Sequence, residues 1–214
     1  EDTSALRVAP LIFLATFLTH VCGGSAGREG AALQIGGSIG SFISRKLKLS
    51  IFDQQLMVMC GMSATFCALF ATPLAAAFLS IEVAGVGTVF YAGLVPSVLA
   101  SFIAMLVSHS LGVTPLITVT AEAQPAGPLI LVKILALAAL TALLGIIFCS
   151  AMHNTRSLLQ KRIPDPYLRV AAGAVVVIMI TIVTGCYDYN GTGMSIITDA
   201  LAGHARPEAF ALKL

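Results

Sequence analysis

Charge is what this sequence has least of. Among 214 residues, 12 are Lys or Arg and 10 are Asp or Glu, 22 in all and about 10% of the chain. A soluble domain carries about 25% charged residues. So few charged side chains cannot cover a globule of this size in water, which excludes a soluble enzyme. At 57% hydrophobic residues a disordered tail is excluded as well. A formal net charge of +2 gives no basic field for nucleic acid. The five cysteines (Cys22, Cys60, Cys67, Cys149 and Cys186) are odd in number and have neither disulfide nor metal-ligand spacing. They read as small buried hydrophobes rather than a scaffold. Nucleophile–base pairings, phosphate loops and nucleotide fingerprints are also missing, so neither an enzyme nor a cofactor is expected.

What is present instead is length without charge. Residues 8–27, 54–81, 83–121, 134–155 and 170–187 contain no Asp, Glu, Lys or Arg. A bilayer core of about 30 Å takes roughly 20 apolar residues as a helix, and each stretch is near that length or longer. Helices satisfy their own backbone in lipid, and nothing here alternates as barrel strands do. The reading is an all-α, polytopic membrane helical bundle. Glu1 stands where an initiator Met is expected, and Ala209 to Leu214 breaks off within a helix-like run. The chain therefore reads as an internal fragment of a longer protein.

The expected elements begin with a helix over Val8–Val21, a glycine-rich turn over Gly23–Gly30, and a helix over Ala31–Ser44 too short to span, ending in Arg45, Lys46 and Lys48. Asp53 is the expected N-cap of a third helix to Phe70. Thr72-Pro73 starts a short fourth helix to Ala84. Thr88–Leu111 is a fifth, kinked at Pro96, and 112–127 reads as a loop. Pro128–Arg162 is the longest helix, followed by Tyr167–Cys186, an irregular stretch over Tyr187–Gly193, and a short amphipathic tail with Asp199 and Glu208. The turn at Lys161–Asp165, flanked by Arg156 and Arg169, is the best candidate for the cytoplasmic side, and the Arg45 cluster makes a competing claim.

Gly23 to Gly40 joins glycines to a pair of charges between apolar helices. An ionisable residue at membrane depth marks a pathway or a partnered structural site. Arg28 and Glu29 precede a helix start, where the free amides of Gly30, Ala31 and Ala32 and the helix dipole form a site for an anion. Gly27 and Gly30 let an unhydrated ion approach. Glu29 is itself a tethered anion and can occupy that site when deprotonated; protonation would vacate it. One residue would then act as gate and proton carrier. Spacing alone leaves equally open that Arg28 and Glu29 only cap the helix.

Gly27-Arg28-Glu29-Gly30, preceded by Gly23-Gly24-Ser25-Ala26 and followed by Gln34-Ile35-Gly36-Gly37, resembles the gating-glutamate motif of the CLC chloride channel and antiporter family. Met62-Ser63-Ala64, Thr72-Pro73-Leu74-Ala75-Ala76 and Ile81-Glu82 resemble its next pair of helices. Ala31 stands where chloride-selective members carry proline. Tyr189-Asn190-Gly191-Thr192-Gly193 and Phe210-Ala211-Leu212-Lys213-Leu214 are more similar to the bacterial fluoride/proton antiporter branch. The resemblance implies Glu29 as gate and proton shuttle, with Gly27, Arg28, Gly30 and Ala31 binding the anion. Ser25, Glu82, Tyr189 and Asn190 are possible pathway residues. Fluoride or chloride and protons are the implied substrates, in the inner (plasma) membrane of a bacterium, through a homodimer whose contact surface uses the fourth and fifth helices, including Pro73–Ala77. Residues 1–111 would close a first repeat and 128–214 open a second. A passive chloride channel of the same fold, and a truncated non-transporting membrane fragment, are the alternatives.

Other residues read as structural. His20 is a packing histidine or a neighbour that tunes Glu29. Met57, Met59 and Met62 fit helix packing. Thr65 either donates to an anion or serves helix contact. His109, His153 and His204 share no ligand spacing, and Asp188 lines the pathway or belongs to an interfacial belt.

Overall fold

The computed structural model describes residues 4–85, 90–113, 127–185, 187 and 190–204, with side chains described from residue 7 onward. All regular elements among them are helices: α1 Ser4–Val21, α2 Glu29–Lys46, α3 Ile51–Phe70, α4 Pro73–Ala84, a 3₁₀ turn Tyr91–Gly93 running into α5 Leu94–Ser110, α6 Pro128–Arg162, α7 Pro166–Thr184 and α8 Met194–Leu201. The chain divides into two compact units, Glu1–Thr118 and Val119–Leu214. The expected loop over 112–127 lies mostly outside the described residues, as do Thr88, Cys186, Asp188, Tyr189, Glu208 and the segment Phe210–Leu214.

Among the described residues, three helical stretches are long and apolar enough to cross a bilayer: Tyr91–Ser110, Pro128–Arg162 and Pro166–Thr184. They fall within or around the last three charge-free stretches. The stretch 54–81 does not make one helix, because Thr72-Pro73 divides it: Ala71 ends α3 in the left-handed region at φ 54°, and Pro73 opens α4 at its first position.

Several local expectations are corrected. The cap of α3 is Ser50, not Asp53: the Ser50 hydroxyl accepts from the Asp53 N–H at 3.2 Å and donates to the Asp53 carboxylate at 2.7 Å. Pro96 lies in the first turn of α5, where no helical N–H partner is lost, so it does not kink a helix interior. Asp165 caps α7 by accepting from the Tyr167 N–H at 2.8 Å, one residue before Pro166. Cys67 is buried, as expected of a small hydrophobe, but Cys22 and Cys149 are exposed and Cys60 is half-buried. Cys22 follows the end of α1, and none of the residues of α6 is buried.

In the first unit the core is built from close backbone approach. A Cβ on Gly36 would collide with the Gly61 carbonyl and the Thr65 hydroxyl, and one on Gly40 with the Met57 carbonyl. These pairs run in opposite order, so α2 and α3 are antiparallel. The Ser63 hydroxyl donates to the Ser97 carbonyl at 2.8 Å and Ser101 to the Pro73 carbonyl at 2.9 Å. The Ser108 hydroxyl also donates to the Ala68 carbonyl at 3.4 Å, and Gly93 approaches Ile81. α5 is therefore parallel to α3 and antiparallel to α4, and buried serines supply much of the contact. This arrangement gathers the start of α2, the end of α3, the start of α4 and the end of α5 at one end of the unit. The end of α2, the start of α3 and the end of α4 lie at the other.

Candidate anion gate

The site begins with how α1 ends. The Gly23 N–H donates to the His20 carbonyl at 3.0 Å and the Gly24 N–H to the Thr19 carbonyl at 2.8 Å, with Gly23 at φ 76°. This left-handed cap satisfies the last carbonyls of α1 and turns the chain sharply. A Cβ on Gly24 would meet the Thr19 methyl at 2.7 Å, so the turn closes directly against the helix. The chain then crosses Ser25 to Gly27 and enters α2.

That entry differs from expectation by two residues. Arg28 is the N-cap, at φ −107° and ψ −3°, and Glu29 is the first helical residue. No side chain caps this start, and the first backbone bond is from the Ala32 N–H to the Arg28 carbonyl at 3.0 Å. Ala32 is thus engaged. The amides at the open mouth are those of Glu29, Gly30 and Ala31, one residue earlier than the sequence suggests. The glycine-rich motif hid the shift, because Gly30 reads as loop although it is helical here.

Glu29 is half-buried, and its carboxylate lies in the space that a Cβ on Gly27 would fill. Gly27 is therefore a seat for the carboxylate, and any other residue there would displace it. Gly30, by contrast, faces open space. Arg28 is half-buried with a buried Nε that has no partner among the described residues. A carboxylate, a guanidinium and three amides without a partner among the described residues stand within four consecutive residues at a helix N-terminus, where the dipole favours negative charge.

Ser25 is exposed and has a partner of its own. Glu82 is exposed near the end of α4, away from the Glu29 end of the unit: nine residues past Pro73, it stands about 14 Å along α4 at 1.5 Å per residue. Asn190 belongs to the second unit, where its side-chain oxygen accepts from the Thr181 hydroxyl at 3.1 Å. The Nδ1 of His20 lies 2.7 Å from the Thr16 carbonyl, which can only accept, so Nδ1 carries a proton and the ring is tied to its own helix. Thr65 donates within α3, to the Gly61 and Met62 carbonyls at 3.0 Å, and sits in the Gly36 contact. That is the helix-contact role. Met59 is buried against Gly93, and Met62 packs on Gly37. Sequence reasoning missed the backbone contact of Gly36, Gly40 and Gly61 between α2 and α3; the Gly-x-x-x-Gly spacing of the first two is the signal that would have found it.

The run Pro73–Ala77 expected on a dimer surface is divided. Ala76 and Ala77 are fully buried within the unit against its own helices, and Leu74 and Ala75 face outward.

The pattern of a voltage-gated chloride channel family matches residues 1–214. A chloride/fluoride channel protein of Pseudomonas syringae pv. tomato (strain ATCC BAA-871 / DC3000) is 30% identical over 184 residues, covering 86% of this chain and 41% of that protein. The crystal structure of a CLC-type fluoride/proton antiporter superposes with a TM-score of 0.87 at 29% identity, covering 97% of this chain and 53% of the other. The chain thus spans about half the length of these two relatives. Matched from its first residue to its last, it belongs to the voltage-gated chloride channel family.

Proposed function

We propose that the intact protein moves a halide, fluoride first among the candidates, across a bacterial inner membrane in exchange for protons, and that Glu29 is both gate and proton carrier. The observation that carries this reading is the Glu29 carboxylate resting on Gly27, on the first residue of a helix whose start no side chain caps. Deprotonated, the carboxylate occupies the electropositive mouth and excludes a mobile anion. Protonated, it loses its attraction for the dipole, swings away, and leaves Glu29, Gly30 and Ala31 N–H groups to a small dehydrated halide. Each cycle of entry and release then moves a proton with the carboxyl group. Arg28 raises the local positive potential.

The likeness to a fluoride/proton antiporter supports exchange and supports fluoride. A second reading, a passive channel in which protonation only opens the path, is favoured by the name of the Pseudomonas relative, a chloride/fluoride channel protein. The possible pathway residues Ser25, Glu82, Tyr189 and Asn190, and assembly as a homodimer, belong to this proposal.

The test is Glu29→Gln in the full-length protein reconstituted in liposomes. The wild type is expected to drive protons uphill on a fluoride gradient, and the variant to lose that coupling while retaining some anion flux. Uphill proton movement in the variant would assign the proton to another residue. A wild type that dissipates fluoride without moving protons would leave the channel reading.

A further inference from the structure

The end of the first unit away from Glu29 has a composition that the gate does not use. We propose that it is a docking surface for the headgroups of anionic phospholipids, held by Lys46 and Lys48. Both lysines are exposed, and Arg45 beside them is half-buried and already engaged. They stand on a fixed turn: the Lys48 N–H donates to the Arg45 carbonyl and the Leu49 N–H to the Ser44 carbonyl, both at 3.0 Å, with Lys48 at φ 53°. That left-handed conformation is uncommon for a residue with a side chain, so the pair follows a defined helix end rather than a loose loop.

Around these cations the surface is apolar, not polar. Leu47 is 62% exposed and Ile51 80%. Phe52, half exposed, leans on Phe90 with ring centroids 5.2 Å apart, and Tyr91 beside it is 76% exposed. Aliphatic side chains, aromatic rings and ammonium groups gathered at one end of a bundle suit the interfacial region of a bilayer, where apolar chains, the aromatic belt and the lipid phosphates meet. A lysine there reaches the phosphates while its stem and the neighbouring residues stay in apolar surroundings. Of the acidic side chains at this end, Asp53 is held by Ser50 at 2.7 Å, and Glu82 is exposed. Charge complementarity therefore selects an anionic lipid over a zwitterionic one, with Glu82 opposing it.

The experiment uses the full-length protein in detergent, titrated with phosphatidylglycerol or phosphatidylcholine and read by native mass spectrometry. Wild type is expected to retain phosphatidylglycerol preferentially. Lys46→Gln with Lys48→Gln should reduce that preference by roughly 25-fold, at about fivefold per cation. Lys46→Arg with Lys48→Arg should keep it, and Glu82→Gln should increase it. A wild type without preference, or a double Gln variant that keeps it, overturns the proposal; a surface covered by other parts of the longer protein gives that same result. Loss of the lipid to millimolar inorganic phosphate would overturn it too, by showing a simple anion site.

Discussion

Glycine inside a helix has opposite consequences in the two units. In the first, Gly36, Gly40 and Gly61 have no room for a Cβ, because a carbonyl of the facing helix already stands there. In the second, Gly145 on α6 and Gly173 on α7 have nothing within 4 Å of where a Cβ would be. The apolar character of the helices does not explain the difference, since α6 and α7 are among the most apolar segments of the chain. In lipid, greasy side chains do not distinguish a neighbouring helix from a hydrocarbon tail, so association follows close backbone approach and polar pairing. The first unit has both, in its glycines and in the buried Ser63 and Ser101 hydroxyls, which donate to carbonyls of neighbouring helices. α6 and α7 present no buried residue at all.

The strongest way to break that comparison is Gly36→Leu. Its side chain would have to displace the Thr65 hydroxyl and the Gly61 carbonyl, and the latter, being backbone, cannot yield without separating α2 from α3. Overpacking of this kind costs about 3 kcal/mol or more, at the upper end of its range. We expect the variant to lose its cooperative thermal transition in detergent, and with it the seat of Glu29 on α2. An unchanged melting temperature would mean that the two helices are not held by this contact. Gly145→Leu sharpens the same contrast from the other side. With open space at its Cβ it should shift stability by no more than about 0.5 kcal/mol, the usual surface range. If in the full-length protein it were as damaging as Gly36→Leu, α6 would have to pack there against residues beyond those described.

The same contrast separates what the sequence made legible from what it hid. Helix starts marked by proline were readable: Pro73 opens α4, and Pro128 opens α6, because a ring with fixed φ and no N–H suits the first helical position. The family resemblance at Gly27-Arg28-Glu29-Gly30 pointed to the first turn of α2, but glycine is read as loop, so the helix start was placed two residues late. Nothing in the residue order shows the Glu29 carboxylate resting on Gly27, because that depends on a rotamer and a backbone turn. Capping by Ser50 was masked by the acidic residue three positions on, since both types favour helix starts. The core was the least legible part. When most positions are apolar, a period of 3.6 in hydrophobicity carries little information, and the inward faces are marked instead by small residues such as Ala76, Ala77 and Ser80.

A small expected loss tests the polar half of this account. Ser101 is fully buried, and its hydroxyl lies 2.9 Å from the Pro73 carbonyl and 2.8 Å from the Val98 carbonyl of its own helix. One hydroxyl proton serves two acceptors, so the link across to α4 is shared with a bond that α5 would keep in isolation. The Pro73 carbonyl has another use: as the first carbonyl of α4 it can accept from the helix itself. Removing the hydroxyl therefore leaves no acceptor stranded and opens a gap of one oxygen atom. Ser101→Ala should cost about 0.6 kcal/mol, the average for a hydrogen bond between membrane helices, read as a small drop in melting temperature with the cooperative transition intact. A loss as large as that of Gly36→Leu would show that hydroxyl pairing, rather than backbone approach, holds the first unit together.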